Sequence, residues 1–201
     1  MFNDQQMLAI KNIMSSYNKN KETPSRNYGN IFYSLTTLCD PKIAVEIGVC
    51  KGYSTIHIAK GIKDCNSGGK LTCFDLWESD SLKTNFHEGQ IGLHLTSSKE
   101  EVKNLLIHLD LDNQVDLKTA EAFDALNEFK DESVDIIHID IGNCGNVLDK
   151  IIPIVFCKLR KNGYFLYEGG AKYRDNVSWM TKFNKKPIFD SLVNSSYFKE
   201  R

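Results

Sequence analysis

Hydrophobic positions along this 201-residue chain fall into two textures. Over the first forty residues they recur at helical spacing. Met7, Ile10, Met14 and Tyr17 form one stripe, with Asn3 or Asp4 placed to cap it. Tyr28, Ile31, Phe32, Leu35 and Leu38 form a second, and the polar stretch NKNKETPSRN between the two reads as a loop. From residue 43 onward, short β-branched runs alternate with helical ones. IAVEIG (43–48), KLTCFDL (70–76), QVDLK (114–118), VDIIHID (134–140) and YFLYE (164–168) read as strands, the most apolar of them buried on both faces. YSTIHIAKGI, SSKEEVKNLLIHL, AEAFDALNEF and LDKIIPIVFCKLRK read as the helices between them. The second of these opens on a capping box, Ser97 with Glu100 or Ser98 with Glu101. The last aligns Val147, Ile151, Val155 and Leu159, is expected to kink at Pro153, and has Asn162-Gly163 as its stop. Beyond Gly169, RDNVSWMTKF reads as a helix, and PIFDSL and SSYFKE as two short strands.

Strands alternating with helices build right-handed βαβ units, which predict an α/β fold with a doubly wound, mostly parallel sheet. A single domain over 1–201 is expected. Residues 1–38 form an N-terminal helical segment that either lids the site or makes a homodimer contact, and 39–201 form the α/β core. Ligands on such sheets bind outside the carboxyl ends of the strands. Four of the five strands end in or near an acid, namely Glu46, Asp75, Asp140 and Glu168. Acids also start turns, so each has a local alternative reading.

Charge and cysteine content narrow the partners. With 25 Lys+Arg against 26 Asp+Glu the formal charge is −1, and there is no basic stripe of the kind nucleic acids attract. No apolar run approaches the ~20 residues of a membrane span. MFNDQQMLAIKNIM lacks the order of a secretory signal, and six scattered cysteines form no C-x-x-C pair, so a reduced, cytoplasmic protein is expected.

The chemistry concentrates at the first strand–helix junction, Glu46-Ile47-Gly48-Val49-Cys50-Lys51-Gly52-Tyr53-Ser54-Thr55. A dinucleotide fingerprint needs a glycine where Cys50 stands, and no Gly-Lys-Ser/Thr follows for a phosphate loop. An acid, one glycine and a second glycine four residues on suit an adenosyl ligand without phosphate, its amino-acid end on the loop and the helix N-terminus. Asp75, 27 residues after Gly48 at the next strand end, can accept ribose hydroxyls.

AVEIGVCKGYST, FDLWE, KTAEAF and VDIIHIDIGN, in this order and spacing, resemble the successive motifs of class I S-adenosylmethionine-dependent methyltransferases. The similarity is greatest to the small O-methyltransferase-like branch and covers about residues 28–170. It implies a Rossmann-like methyltransferase fold with S-adenosyl-L-methionine as cofactor. By resemblance, Glu46, Gly48, Gly52 and Ser54 or Thr55 surround the methionine part of that cofactor. Asp75 holds the ribose, Leu76 and Trp77 lie beside the adenine, Ala120-Glu121-Ala122 flank its ring, and Asp140 lies near the sulfonium and the acceptor. The family usually ends in a hairpin of strands six and seven. Only 33 residues follow Glu168 here, so that hairpin is expected to be shortened.

The resemblance also frames the acceptor chemistry. A hydroxyl acceptor must lose its proton to a base or to a cation that lowers its pKa. Metal-dependent relatives carry an acid after strand four and an Asp-Asn pair after strand five. Here the pair reads Glu168-Gly169, so Mg²⁺ would rest on Asp140 and Glu168, with Asn143 or a water in the missing place. His138 projects to the same side of its strand as Asp140 and has a base's intrinsic pKa, although a histidine inside a strand is more often a hydrogen-bonded core residue. His87 and His94 could reach a substrate if their polar segment folds over the site, while a solvated loop is the simpler account. His57 and His108 have no assigned role, and Trp77 and Trp179 read mainly as packing. No Asn/Asp-Pro-Pro-Tyr and no Pro-Cys motif is present, which disfavours nucleobase methylation. The expected function is methyl transfer from S-adenosylmethionine to a hydroxyl of a small molecule or sugar. Gly142-Asn143-Cys144-Gly145, where relatives often carry His and Tyr, keeps alive a catalytically degenerate partner subunit. A NAD-type oxidoreductase is the third reading, disfavoured by Cys50.

Overall fold

The structure, a computed structural model, describes residues 2–17, 28–77, 97–142 and 144–194. Helices α1 (Asp4–Tyr17) and α2 (Gly29–Cys39) precede β1 (Ile43–Ile47), α3 (Tyr53–Asp64) and β2 (Lys70–Asp75). Then come α4 (Lys99–His108), β3 (Val115–Thr119), the short α5 (Ala122–Ala125), β4 (Val134–Ile139), α6 (Gly145–Lys158) and β5 (Leu159–Tyr167). Helices α7 (Ser178–Lys182) and α8 (Ile188–Asn194) complete the described chain. The five strands form one sheet of order β3-β2-β1-β4-β5, all neighbours parallel, as the alternating pattern predicts. The winding reverses between β1 and β4, so the carboxyl ends of those strands border the crevice where such sheets bind ligands.

Strand alternation divides the core into two layers. Ala44, Leu71, Cys73 and Ile136 face Phe32, Ile56, Ile58, Val102 and Leu106 of the helices on one side. Val45, Ile47, Phe74, Ile137 and Ile139 face Leu126, Ile151 and Val155 on the other. Fully burying such a side chain contributes about 1.5–3 kcal/mol, so these two layers supply the main driving force for the sheet. At the amino end of the sheet, the Asp135 carboxylate accepts the backbone N–H groups of Lys42 and Ile43 and pairs with Arg160, tying β4 to the start of β1. Among the described residues no helix is long and apolar enough to cross a membrane. No disulfide joins the described cysteines to one another.

Four local expectations are corrected. Asn162-Gly163 do not stop α6, which ends at Lys158; they lie in a bulge of β5, where its register with β4 shifts and Asn162 adopts φ +64°. Turn-forming residues serve a bulge as readily as a helix stop. PIFDSL is helical, because the Asp175 carboxylate caps α8 from a distance by accepting from Ile188 and Phe189. Ile188 is then buried beside Leu148 and Ile152. RDNVSWMTKF divides into a 3₁₀ turn (Lys172–Asn176) and α7.

In α2 the inward face is Gly29, Phe32 and Thr36, while Ile31 and Leu38 are 60% and 75% exposed. A Cβ on Gly61 would collide with Thr36, and one on Gly29 with the His57 ring. The α2–α3 crossing thus selects small residues over the apolar stripe. The SSYFKE strand, His87, His94, Asn143 and the side chains of Met14, Tyr17 and Trp179 fall outside what is described.

Candidate active site

The sequence between Gly48 and Gly52 folds into a tight loop because three of its five residues adopt positive φ: Gly48 at +89°, Cys50 at +54° and Gly52 at +78°. Gly48 N–H extends the β1–β2 ladder to the Phe74 carbonyl at 2.9 Å. A Cβ at Gly48 would fall well inside 3.0 Å of the Asp140 carbonyl oxygen, so β1 and β4 close here only around glycine. Gly52 then starts α3 with no side-chain cap. The first N–H groups of α3, at the positive end of a 12-residue helix, therefore have no side-chain acceptor from Gly52.

Asp75 holds this loop from the neighbouring strand. Its Oδ2 accepts the N–H of Val49 at 2.7 Å and of Cys50 at 2.9 Å, and its Oδ1 accepts Trp77 N–H at 3.2 Å. A carboxylate has about four acceptor sites, so roughly one is left for a ligand. Trp77 itself is buried, and its indole N–H donates to the Lys118 carbonyl at 3.2 Å, bracing the tips of β2 and β3. Leu76 is half-buried. Glu121 sits at the N-cap of α5, half-buried, its carboxylate without a hydrogen-bond partner among the described residues. Asp140 is half-buried at the tip of β4, its N–H bonded to the Ile47 carbonyl at 2.9 Å.

Glu46 lies beneath the loop rather than on it. Sheet register sets it between Cys73 of β2 and His138 of β4 on one face. It is fully buried and accepts from Ser54 and Thr55 hydroxyls at 2.5 Å each, the Cys73 thiol at 3.3 Å and His138 Nδ1 at 3.1 Å. Ser54 and Thr55, themselves buried, thus point away from the cleft and fasten the start of α3 to the sheet. Cys73 is held well above the usual thiol range by burial and by the Glu46 charge, and stays a neutral donor.

His138 is the correction that matters most for chemistry. Its Nε2 lies 3.5 Å from Glu168 Oε1 while Nδ1 faces Glu46, and its side chain has no solvent exposure. Burial alone would push its pKa down, but the two neighbouring carboxylates, Glu168 and the hydrogen-bonded Glu46, outweigh that and push it up to about 10. At neutral pH it is an imidazolium with no path to a substrate, so it is not the general base that its strand position suggested.

A testable consequence concerns stability. The folded imidazole titrates near 10 and an unfolded one near 6.5, so its contribution is complete below pH 6.5 and is lost as pH rises towards 10. The limiting slope is about 1.4 kcal/mol per pH unit. Urea midpoints of the wild type should fall across that window, and the His138→Gln variant should lose this component and be destabilised by about 3–5 kcal/mol at pH 6.

Glu168 continues the line outward. Its side chain is 18% exposed, and its Oε2 accepts the Tyr28 hydroxyl at 2.8 Å. Tyr28 stands just before α2, with its ring edge-on to Phe32 and to Tyr53, centroids 5.5 and 5.8 Å away. Tyr53 OH accepts Gly29 N–H at 3.1 Å. The contacts Glu46–His138–Glu168–Tyr28 thus run as one line across the tips of β1, β4 and β5, from the buried interior to the half-buried surface. The Tyr28 link has no signal in the sequence, since 140 residues separate its partners.

A divalent cation on Asp140 and Glu168 does not fit this donor set. Both Glu168 oxygens face donors, and among the described residues no group of three or more His, Cys, Asp or Glu is placed to hold a metal.

A methyltransferase-domain family model matches residues 45–168, which is more than half of the chain and runs from within β1 to just past the end of β5. Solved structures share the fold at low identity. The O-methyltransferase from Bacillus cereus in complex with SAH is 17% identical, with a TM-score of 0.62 over 96% of this chain and 81% of that one. The O-methyltransferase TomG from Streptomyces achromogenes, in complex with SAM, is 15% identical, with a TM-score of 0.62 over 98% and 80%. The SAH-bound methyltransferase PaMTH1 from Podospora anserina is 16% identical, with a TM-score of 0.57; this chain is covered to 84% but spans only 63% of that protein. No functionally curated protein matches the sequence. The matched span contains the glycine loop, Asp75, Asp140 and the five parallel strands, and the chain belongs to the methyltransferase-domain family with the class I fold.

Proposed function

We propose that this domain transfers the methyl group of S-adenosylmethionine to a hydroxyl of a small molecule or sugar. The observation that carries the reading is the strained Gly48–Gly52 loop, pinned by Asp75 and opening onto an α3 N-terminus without a side-chain cap. The SAH- and SAM-bound relatives with the same fold support it.

S-adenosylmethionine supplies an electrophilic methyl group on a sulfonium. The α3 N-terminus and the loop would take the ligand's amino-acid end, and the remaining acceptor site of Asp75 one ribose hydroxyl. Leu76, Trp77 and Glu121 would border the adenine. Glu46, Ser54 and Thr55 act indirectly, by fixing the helix that carries the loop. With that methyl group delivered to an acceptor hydroxyl, Asp140 or Glu168, the carboxylates at the tips of β4 and β5, would take the hydroxyl's proton.

The test is thermal unfolding with S-adenosylmethionine, S-adenosylhomocysteine or NAD, because a ligand that binds only the native state raises its midpoint. The two adenosyl-sulfur compounds should stabilise the protein and NAD should not; stabilisation by NAD alone would overturn the reading. Transfer from labelled S-adenosylmethionine to catechols, sugars and hydroxy acids then examines the acceptor. Tight binding with no transfer to any hydroxyl would favour the partner-subunit alternative.

A further inference from the structure

The clamp on Glu168 reaches outside the matched family span. Tyr28 precedes residue 45, yet its hydroxyl donates to Glu168 Oε2 at 2.8 Å. Oε1 faces His138 Nε2 at 3.5 Å from the opposite side. Each partner is itself held. The Tyr28 ring packs edge-on against Phe32 and Tyr53, and the His138 ring lies 4.7 Å from Phe32 and bonds to Glu46 through Nδ1. The carboxylate is thus hydrogen-bonded on one oxygen from the residue that precedes α2, and on the other it lies in ion-pair contact with His138 Nε2, which makes no hydrogen bond among the described residues. A hydrogen bond to a carboxylate is charge-assisted, so the Tyr28 contact is the firmer of the two. A hard cation would need those same oxygens, along with further oxygen ligands that the described residues do not converge.

We propose that Tyr28 and His138 hold Glu168 as a fixed, metal-free carboxylate at the tip of β5, which makes Tyr28 a positioning residue of the site and α2 part of its wall. The role assigned to Glu168 is therefore that of an oriented proton acceptor or hydrogen-bond partner for the acceptor. The clamp itself does not depend on which ligand occupies the glycine loop.

The experiment is ¹⁹F NMR of the full chain labelled with 3-fluorotyrosine, in which the eight tyrosines give separate probes and Tyr28→Phe identifies the Tyr28 resonance. Three arms follow at near-neutral pH. Glu168→Gln should shift the Tyr28 resonance, while Glu132→Gln, a surface change at a distant turn, should leave it in place. One equivalent of Mn²⁺ should leave the Tyr28 resonance sharp in the wild type. S-adenosylhomocysteine is then added to the same sample.

An unmoved Tyr28 signal in Glu168→Gln overturns the positioning role. Broadening of that signal by Mn²⁺ that Glu168→Gln abolishes overturns the metal-free role. Should Glu168→Gln fail to fold, Glu168→Asp, which withdraws the carboxylate by one methylene, is read in its place with the same two outcomes. Failure of S-adenosylhomocysteine to perturb any tyrosine would count against the cofactor reading and leave the first two arms to decide the clamp.

Discussion

Gly48→Ala is expected to abolish binding of S-adenosylhomocysteine and to destabilise the fold by about 3 kcal/mol or more. Two independent costs combine. The backbone at Gly48 holds φ +89°, which an L side chain rarely adopts. The added methyl group would meet the carbonyl of Asp140, with the Asp140 carbonyl carbon and Ile141 Cγ2 each 2.9 Å away. None of the three is the far end of a long flexible side chain, since two are backbone atoms and the third is the methyl group on the branched Cβ of half-buried Ile141. The strand tips must therefore separate, and the Gly48 N–H to Phe74 bond and the Asp140 N–H to Ile47 bond both lie at that seam. Urea denaturation measures the stability loss and calorimetry the affinity. A Gly48→Ala protein with wild-type midpoint and affinity would show that the loop relaxes freely, contrary to this geometry.

Asp75→Ala should cost at least about 100-fold in affinity for S-adenosylhomocysteine, or about 2.7 kcal/mol. Its stability loss should be smaller than that of Gly48→Ala. The substitution removes the acceptor for Val49 and Cys50 N–H, so the loop loses two charge-assisted bonds together with the proposed ribose contact. Bonds to a charged partner contribute about 1.5–3 kcal/mol each when buried, less where water can replace the lost acceptor, as at this half-buried site. Asp75→Asn separates the two roles. Its remaining oxygen can still accept from Val49 and Cys50 while the amide nitrogen faces Trp77 N–H, so it should lose less stability than Asp75→Ala while binding more weakly than the wild type. Equal affinity in wild type, Asp75→Asn and Asp75→Ala, by calorimetry, would remove Asp75 from the binding site.

Much of this arrangement was legible in the chain. Short, apolar β-branched runs located the strands, because both faces of a parallel sheet are covered and its central strands must be apolar throughout. The Ser98–Glu101 capping box was legible too, since both of its bonds, Ser98 N–H to Glu101 and Glu101 N–H to Ser98, are local. The misreadings share a different cause: the decisive partner is remote in sequence. Asp175 caps α8 from 13 residues away, converting an apparent strand into a helix. Small residues at Gly29, Thr36 and Gly61 let α2 approach α3, so the most apolar stripe of α2 is left partly outside.

At the site, the strand-end acids were found by position, but what each does was set by neighbours. Glu46 and Glu168 flank the same imidazole, which no local spacing encodes. That arrangement turns His138 from a candidate base into a buried cation. It also turns Glu46 from an expected ligand contact into the anchor of α3. Tyr28, read from the sequence as one apolar position of a helix stripe, becomes a polar contact to the strand-five acid.

The central claim is that an adenosyl ligand without phosphate lies on the Gly48–Gly52 loop and across the tip of β2. A crystal structure grown with S-adenosylhomocysteine tests it most directly. The expected density places the amino-acid end at the first turn of α3 and the sugar within hydrogen-bond distance of Asp75, with Tyr28 still bonded to Glu168. Density for the ligand elsewhere, or a saturated crystal whose loop contacts nothing, would contradict it.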